Sequence, residues 1–399
     1  MKSAFLLLLK WLIYPVGKVF IRDKNLWVFG SRQGQFVDNP KYYFLHIAEE
    51  EKAITPVWIS EDQNTVTYLN ECGYKAYYRW SLKGVITSLK AGVFVYAFDA
   101  NDINFFCSAG AKLVNLYHGI PLKKIEFDTT VGNSRRVYHP HTLYEKILTK
   151  IRSMPKWKPI DLFQLPSPAL KTIHDGAFNQ LIKNYQYGIN PRLAPLVDAS
   201  NLNKLITNDA LKAKSWVEGY DKVWIYMPTW RVGNPDIIEQ AFPDLEKLNQ
   251  VLRRKNILLI FKMHLYSDDV INNCSHIKLF PANIDVYPFL TTVDVLITDY
   301  SSIAFDVSLI NTPIIFYAYD LTEYIATSSE GFYFNYDDFT NHAAISNFNQ
   351  LIDIIETQHL QNKCVGNDIK HAIWSQTEKL SVFESNTRLT KAIQNLWNV

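Results

Sequence analysis

The sequence predicts an α/β protein built as two Rossmann-like domains whose parallel sheets face each other across a cleft. Three observations carry this reading. Short apolar runs alternate with helical stretches along most of the chain, the pattern of parallel sheets covered on both faces. The alternation occurs twice. A more irregular region around Pro155–Pro195 separates the two series.

In the first series, Leu26–Phe29, Pro56–Ile59, Ala76–Tyr78, Val93–Tyr96 and Lys112–Tyr117 read as strands, with helical patterns such as Asn39–Glu51 and Leu82–Ala91 between them. In the second, Lys222–Tyr226, Ile257–Phe261, Val293–Thr298 and Pro313–Tyr317 read as buried strands, and Ala241–Lys255 and Ser302–Ile310 as helices. His371–Leu396 reads as a helical end that can pack back across the domains. The expected organisation is an N-terminal helix at 1–22, a first domain at 23–200, a second at 201–370 and a helical segment at 371–399. No repeat of fixed period and no low-complexity tract interrupts it.

Composition narrows the class. A length of 399 residues fits two or three domains at about 100–200 residues each. Apolar residues make up 48% and charged residues 20%, a globular balance rather than a disordered one. A net charge of +2 gives no support to a nucleic-acid partner. The four cysteines, Cys72, Cys107, Cys274 and Cys364, stand far apart with no CxxC. That argues against a disulfide framework and a structural zinc site, and fits reduced cytosolic thiols.

Two segments raise a membrane question. The apolar run Ala4–Leu9 is too short to span a bilayer; Lys10 and Lys18 interrupt the segment and Pro15 would kink a helix there. No small-residue cleavage site follows it. Lys2, Lys10 and Lys18 would fall on one broad side of a helix, with Phe5, Trp11 and leucines over much of the rest. This suits a helix lying on an anionic membrane, and equally a helix packed on the protein's own core. A second basic-aromatic stretch, Arg135–Lys158, contains Arg135, Arg136, Lys146, Lys150, Arg152, Lys156, Trp157 and Lys158. It is either a solvated helix face or a second lipid contact, each cation contributing about 1 kcal/mol near the surface. Two signals of one kind favour the membrane.

In parallel sheets ligands bind beyond the carboxyl ends of strands, so the residues there carry most weight. Lys112–Tyr117 is followed by His118-Gly119-Ile120-Pro121-Leu122-Lys123, and Lys222–Tyr226 by Pro228-Thr229-Trp230-Arg231. Ile257–Phe261 is followed by Lys262-Met263-His264, and Val293–Thr298 by Asp299-Tyr300-Ser301-Ser302 and a helix carrying Asp306. Singly, each has a plain explanation. A lone histidine beside Gly119 and Pro121 is commonly a turn residue, Ser301 or Ser302 can be a helix cap, and Arg231 and Lys262 can face solvent. Their joint arrival at equivalent strand ends points to phosphate handling. A helix opening at Ser301–Ser302 offers N–H groups and a positive dipole end to an anion; Lys262, Arg231 and His264 add charge; His118 can take a proton from an attacking hydroxyl. No GxxxxGK[ST], GxGxxG, Asp-x-Asp or HExxH occurs, which excludes a P-loop enzyme and weakens the case for a metal-dependent sugar transferase.

These blocks resemble the CDP-glycerol glycerophosphotransferase family, whose members build teichoic acids and related polyol-phosphate polymers. The resemblance runs in consistent order over about residues 25–340. It includes Phe29-Gly30-Ser31, Asp38-Asn39-Pro40-Lys41, His118–Lys123, Pro191-Arg192, Pro228–Arg231, Lys262–His264, Thr298–Ser302 with Phe305-Asp306, Tyr319-Asp320-Leu321 and Gly331–Phe334. It implies a two-domain GT-B fold and a peripheral enzyme on the cytoplasmic face of the cell membrane. It also implies that His118 and His264 are the catalytic residues. Gly119, Ile120, Pro121, Leu122, Arg192, Thr229, Trp230, Arg231, Lys262, Met263, Ser301, Ser302 and Asp306 are then the donor-binding residues. Ile120 replaces the family's threonine, Leu193-Ala194 replaces its Asn-Asp, and Leu265 replaces a proline.

The activity implied is transfer of glycerol phosphate from CDP-glycerol to a hydroxyl of a lipid-linked glycan or polyol-phosphate acceptor, releasing CMP, for a teichoic acid or a glycerol-phosphate-containing capsule. CDP-ribitol as donor and a non-catalytic membrane-bound partner of a polymerase are the alternatives. No cofactor or metal site is read from the sequence; stimulation by Mg2+ stays open.

Overall fold

The computed structural model describes residues 2–130, 132–198, 203, 205–206, 214–215, 217–229, 237–263, 274–281, 284–328, 331–377 and 379–398, and among these described residues twelve short strands form two wholly parallel sheets. The first sheet contains β1 (Asp23–Phe29), β2 (Thr55–Ser60), β3 (Ala76–Tyr78), β4 (Ala91–Tyr96), β5 (Lys112–Asn115), β6 (Leu162–Leu165) and β7 (Tyr185–Tyr187), in the order β3-β2-β1-β4-β5-β6-β7. The second contains β8 (Lys222–Tyr226), β9 (Ile257–Phe261), β10 (Ile277–Leu279), β11 (Val295–Thr298) and β12 (Ile314–Phe316), in the order β10-β9-β8-β11-β12. Every residue of β4 and of β9 is buried, which is why these strands read as unbroken apolar runs rather than as alternating ones. Strand order reverses between β1 and β4 in one sheet and between β8 and β11 in the other. At such reversals neighbouring crossover helices lie on opposite faces and leave a crevice at the carboxyl ends of the strands.

Two compact units hold these sheets, and neither follows sequence order. The first comprises Met1–His118, Asn133–Asn203 and Gln376–Val399; the second comprises Gly119–Gly132 and Lys204–Ser375. The boundaries therefore differ from a split into 23–200, 201–370 and a separate 371–399. Residues 119–132 join the second unit through backbone pairing: Lys124 N donates to Gly331 O at 3.1 Å and Tyr333 N to Leu122 O at 2.9 Å. The helix Val382–Asn395 joins the first, with Tyr43 Oη and Thr390 Oγ1 2.8 Å apart and Ile189 N donating to Ser385 Oγ at 3.1 Å.

The structure corrects several expected elements. The region around Pro155–Pro195 supplies β6 and β7. β6 is a four-residue strand closely flanked by Pro159 and Pro166, and Gln164 breaks its apolar run. That glutamine is nonetheless buried, with Nε2 donating to Ile189 O at 3.0 Å. The helix expected over Ala241–Lys255 is two, Ile237–Ala241 and Leu245–Arg254. Pro243 has no N–H to continue the first, and Asp244 starts the second by accepting from Lys247 N at 2.8 Å. The helical end is also two helices, Asn367–Trp374 and Val382–Asn395, the latter opened by a Ser381–Glu384 capping box.

The N-terminal helix spans Lys2–Val19. Trp11 and Tyr14 pack on Phe105, with ring centroids 5.9 and 5.0 Å away, and Trp11 Nε1 donates to Ile151 O at 3.2 Å. Arg22, just beyond its end, donates to the carbonyls of Ser88, Ala91, Gly17 and Cys107. Part of this helix therefore belongs to the core of the first unit. Among the described residues no helix is long and apolar enough to cross a membrane.

Candidate active site

In the first unit, the chain leaves β5 in a conformation that side chains resist. Tyr117 has φ of +52°, a left-handed backbone that is costly for a bulky residue. Three groups hold it. Tyr117 N donates to Asn115 Oδ1 at 2.8 Å, and buried Asn39 donates through Nδ2 to the carbonyls of Leu116 and Tyr117 at 3.1 and 2.9 Å. Asn39 Oδ1 accepts from Arg192 N at 3.1 Å, and Arg192 Nη1 donates to Asp38 Oδ1 at 2.8 Å and to His118 O at 2.5 Å. Asp38, Asn39 and Arg192 thus fix the backbone that presents His118.

The His118 imidazole stacks on Phe98, which follows β4, with centroids 3.9 Å apart and planes inclined by 13°. Its Nδ1 is buried and makes no hydrogen bond among the described residues. Burial, then the cations Arg192, Lys156 and Arg32, push its pKa down to about 3, against a backbone hydrogen bond with Ala97 that favours protonation. At neutral pH the ring is uncharged and has a lone pair to offer, as a proton acceptor requires.

In the second unit, the turn after β11 and the loop after β8 meet where strand order reverses. Asp299 Oδ1 accepts from Thr229 N at 2.7 Å and from Tyr300 N at 2.5 Å, and Thr298 Oγ1 donates to Met227 O at 2.7 Å. Next to β8, Lys262 follows β9, its N–H donating to Tyr226 O at 2.9 Å. Its ammonium lies 5.6 Å from the Phe280 ring centroid; burial lowers its pKa, and Asp285 opposes that shift. Asp285 accepts from Tyr287 N at 3.0 Å, and Tyr287 Oη donates to buried Asp306 at 2.7 Å. Ser301 and Ser302 are half-buried. The helix after them, Ile303–Ser308, is shorter than expected, and the Ser302 side chain does not cap it.

After His118, residues Gly119–Lys123 belong to the second unit. Beyond Gly119, whose φ is +140°, the side chains of Ile120 and Leu122 are buried. The Lys123 ammonium lies 5.7 Å from the Tyr324 ring centroid, and Tyr324 stacks on Tyr300 at 4.1 Å. The segment after the histidine is therefore seated beside the Asp299–Ser302 turn.

These blocks meet in one recognised pattern: residues 13–372 match the family described as CDP-Glycerol:Poly(glycerophosphate) glycerophosphotransferase. The chain belongs to this family. It is a transferase. The sequence is 25% identical over 363 residues to a teichoic acid glycerol-phosphate transferase of Staphylococcus aureus, covering 89% of this chain and 90% of that one. It is 29% identical over 150 residues to a teichoic acid ribitol-phosphate polymerase of the same organism, covering 36% of this chain and 26% of that one. The fold resembles the solved structure of the wall teichoic acid polymerase TagF, with a TM-score of 0.69 and 18% identity over 99% of this chain and 96% of that chain.

Within this family member, the expected donor residues fall in two places. Thr229, Lys262, Ser301, Ser302 and Asp306 gather at the strand ends of the second sheet, joined through Asp299, Asp285 and Tyr287. Arg192 lies in the first unit on Asp38 and the His118 carbonyl. Ile120, Pro121 and Leu122 are buried, and Met263 packs on the core of the second unit, so what they offer a ligand is backbone. Trp230, Arg231 and His264 lie outside the described residues. Sequence reasoning missed Phe98, Arg32 and Asp102. They follow β4 and β1, and the same strand-end rule, extended to those strands, points to them. Among the described residues no group of three or more His, Cys, Asp or Glu side chains gathers as a metal site.

Proposed function

We propose that the protein transfers glycerol phosphate from CDP-glycerol to a hydroxyl of a lipid-linked acceptor, releasing CMP, in the synthesis of a teichoic acid or another glycerol-phosphate polymer such as a capsule. The observation that carries the choice of glycerol is the near full-length match to a glycerol-phosphate transferase, against a partial match to a ribitol-phosphate polymerase. That second relative keeps CDP-ribitol as the alternative donor.

In this reading the acceptor hydroxyl gives its proton to His118 as its oxygen attacks the β-phosphorus. The bond from that phosphorus to the bridging oxygen breaks, and CMP leaves with the electron pair. Lys262, Ser301 and Ser302 hold the diphosphate, joined by Arg231 and by His264 as a phosphate contact. Thr229 and Asp306 act through the turn they brace. Stabilising charge that develops at the phosphate is where a positioned cation contributes most.

The lipid-linked acceptor places the enzyme on the cytoplasmic membrane face. The supporting feature is an apolar surface on the first unit. Leu143 and Tyr144 are 75% and 73% exposed and Ile147 is 51% exposed, all on the basic helix Leu143–Arg152. Leu12 and Val19 of the N-terminal helix are 66% and 80% exposed. Lys146, Lys150 and Arg152 supply the cations that an anionic surface attracts.

The test is to incubate the purified protein and a lipid-linked acceptor with CDP-glycerol, CDP-ribitol or UDP-sugars, with Mg2+ or with chelator, and to follow CMP or UDP release and product mass. CMP release with a glycerol-phosphate mass increment is the expected result. Turnover of CDP-ribitol alone selects the alternative donor, and no turnover with any donor leaves the non-catalytic partner role.

A further inference from the structure

Three neighbouring strands of the first sheet, β1, β4 and β5, end in segments that converge on one carboxylate. Asp102 Oδ2 accepts from Ala97 N at 3.1 Å and from Phe98 N at 2.8 Å, the two residues that follow β4. From the end of β1, Gly30 seats the backbone of Asp102. A Cβ on Gly30 would stand 2.5 Å from Asp102 O and 2.8 Å from Ile103 Cγ1, so the approach is open only to a glycine. From the end of β5, Asn115 Nδ2 donates to Phe98 O at 3.4 Å, and its Oδ1 accepts from Tyr117 N at 2.8 Å.

Both residues that Asp102 holds touch His118. The Phe98 ring stacks on the imidazole at 3.9 Å. Ala97 makes a backbone hydrogen bond with the imidazole that favours its protonated form. Ala97 N is committed to Asp102, so the partner is Ala97 O. A carbonyl only accepts. The ring nitrogen that meets it therefore carries the hydrogen, and the lone pair sits on the other nitrogen. The orientation and the tautomer of the imidazole thus depend on a two-residue segment, and that segment depends on Asp102.

We propose that Asp102 is a positioning residue for the transfer: by holding Ala97 N and Phe98 N it fixes the orientation and the tautomer of His118. The inference rests on His118 as the proton acceptor of the reading above, and adds the group that aims it. A general base works only with its lone pair within hydrogen-bond reach of the reacting hydroxyl. It also gives the Phe29-Gly30-Ser31 block a part in the chemistry, through the close approach at Gly30.

The experiment compares full-length wild type with Asp102→Ala, Asp102→Asn and Asp102→Glu. Alanine removes the acceptor. Asparagine keeps a carbonyl oxygen at the same reach, and glutamate keeps the charge but carries its oxygens one methylene further. Two quantities are measured: kcat with the CDP-glycerol KM, and the NMR shifts of the His118 ring nitrogens in isotope-labelled protein, identified by their loss in His118→Gln. Alanine and glutamate should lower kcat about ten- to hundredfold, the cost of a misplaced catalytic group, with KM nearly unchanged; asparagine should retain most of kcat. In wild type and Asp102→Asn the ring should show one protonated and one bare nitrogen, and in the other two variants the shifts should average towards a mixture of tautomers. Wild-type kcat in Asp102→Ala and Asp102→Glu overturns the proposal. So does a lowered kcat with wild-type ring shifts, which is a structural effect elsewhere, and so does an asparagine variant as damaged as the alanine one. Where Asp102→Ala does not fold, the contrast between glutamate and asparagine decides. If wild type turns over no CDP-polyol, the transferase reading fails separately. The ring shifts then decide alone: averaging in the glutamate variant and not in the asparagine one supports the role of Asp102, and unchanged shifts overturn it.

Discussion

The imidazole of His118 lies parallel to the ring of Phe98, with centroids 3.9 Å apart and planes inclined by 13°. The contact ties the residue after β5 to the residue after β4, its neighbour in the sheet, and shields one face of the ring from water. Together with the surrounding cations, that burial is what keeps the imidazole neutral.

The first prediction concerns protonation. With a folded pKa of about 3, His118 binds fewer protons in the folded than in the unfolded chain between about pH 3 and its ordinary value near 6.5. Its contribution to stability is present above that value and is lost as pH falls from about 6.5 towards about 3. Unfolding followed against pH in wild type and His118→Gln should show this loss in wild type only. The pH profile of kcat/KM, which reports the free enzyme, should show no limb near pH 6.5 that disappears with His118. His118→Ala should lower turnover about 10²–10⁴-fold, the usual range for a general base, with the CDP-glycerol KM nearly unchanged. Near-normal turnover removes His118 from this role.

Asp102 titrates in the opposite sense. It accepts from Ala97 N and Phe98 N at 3.1 and 2.8 Å, and so shapes the loop that presents the Phe98 ring. Burial, with the charge of Asp99, raises its pKa to about 7. The folded chain therefore binds more protons than the unfolded one between about pH 4 and about pH 7, and stability falls as pH rises through that window. Asp102→Asn keeps an acceptor oxygen and removes the titration. Its stability relative to wild type should improve as pH rises from about 4 to about 7; a flat difference counts against the assignment.

A third prediction rests on the buried pair of Arg192 and Asp38, whose side chains are 4% and 18% exposed. Removing one partner leaves a charge in the interior, at a typical cost of about 3–5 kcal/mol. Arg192→Ala should destabilise by about that amount and also lower kcat, because His118 O loses its donor. The double variant Arg192→Leu with Asp38→Leu should recover much of the stability but not the activity. Recovery of both would show that the pair has no positioning role.

How much of this was legible beforehand depended on strand length and continuity. The buried runs of β4 and β9 announced themselves, and their neighbours followed from alternation. β6, at four residues with Gln164 inside it, did not, because the acceptor for the Gln164 Nε2 is Ile189 O, a partner 25 residues away in sequence. The same holds at the site. His118, Lys262 and the Asp299–Ser302 turn stand directly after strands and could be read in place. Phe98 carries no polar signal, and the role of Asn39 depends on Leu116 and Tyr117, which no local pattern connects to it. The placement of Arg192 on Asp38 and His118 O is likewise a tertiary fact.

On the donor side, Lys262 is half-buried, and desolvation lowers its pKa, so its charge is poorly compensated until an anion arrives. Lys262→Met keeps the stem and removes the charge. It should raise the CDP-glycerol KM by about ten- to hundredfold, the loss expected for one charge-assisted contact, and should not lower thermal stability. Isothermal titration with CDP-glycerol checks this directly; wild-type affinity in the variant would falsify the placement of the diphosphate.

A test of membrane binding has to spare the N-terminal helix. Deleting residues 1–20 would remove Trp11 and Tyr14 from the core of the first unit, where they pack on Phe105, so lost binding could reflect lost folding. The exposed residues make the cleaner test. Leu143 and Ile147 lie one helical turn apart at 75% and 51% exposure, and replacing them with aspartate disturbs little packing. Leu143→Asp with Ile147→Asp should retain the wild-type melting temperature and activity on a soluble acceptor. It should sediment less with anionic liposomes, because it loses apolar insertion and adds repulsion. The residual binding should be electrostatic and fall with salt, since the Debye length contracts from about 10 Å at 0.1 M to about 3 Å at 1 M. Neutral liposomes should bind the wild type more weakly than anionic ones, because Lys146, Lys150 and Arg152 then have no partner charge. If the double variant sediments as well as wild type at every salt concentration, this helix is a solvated surface and the acceptor reaches the enzyme by another route.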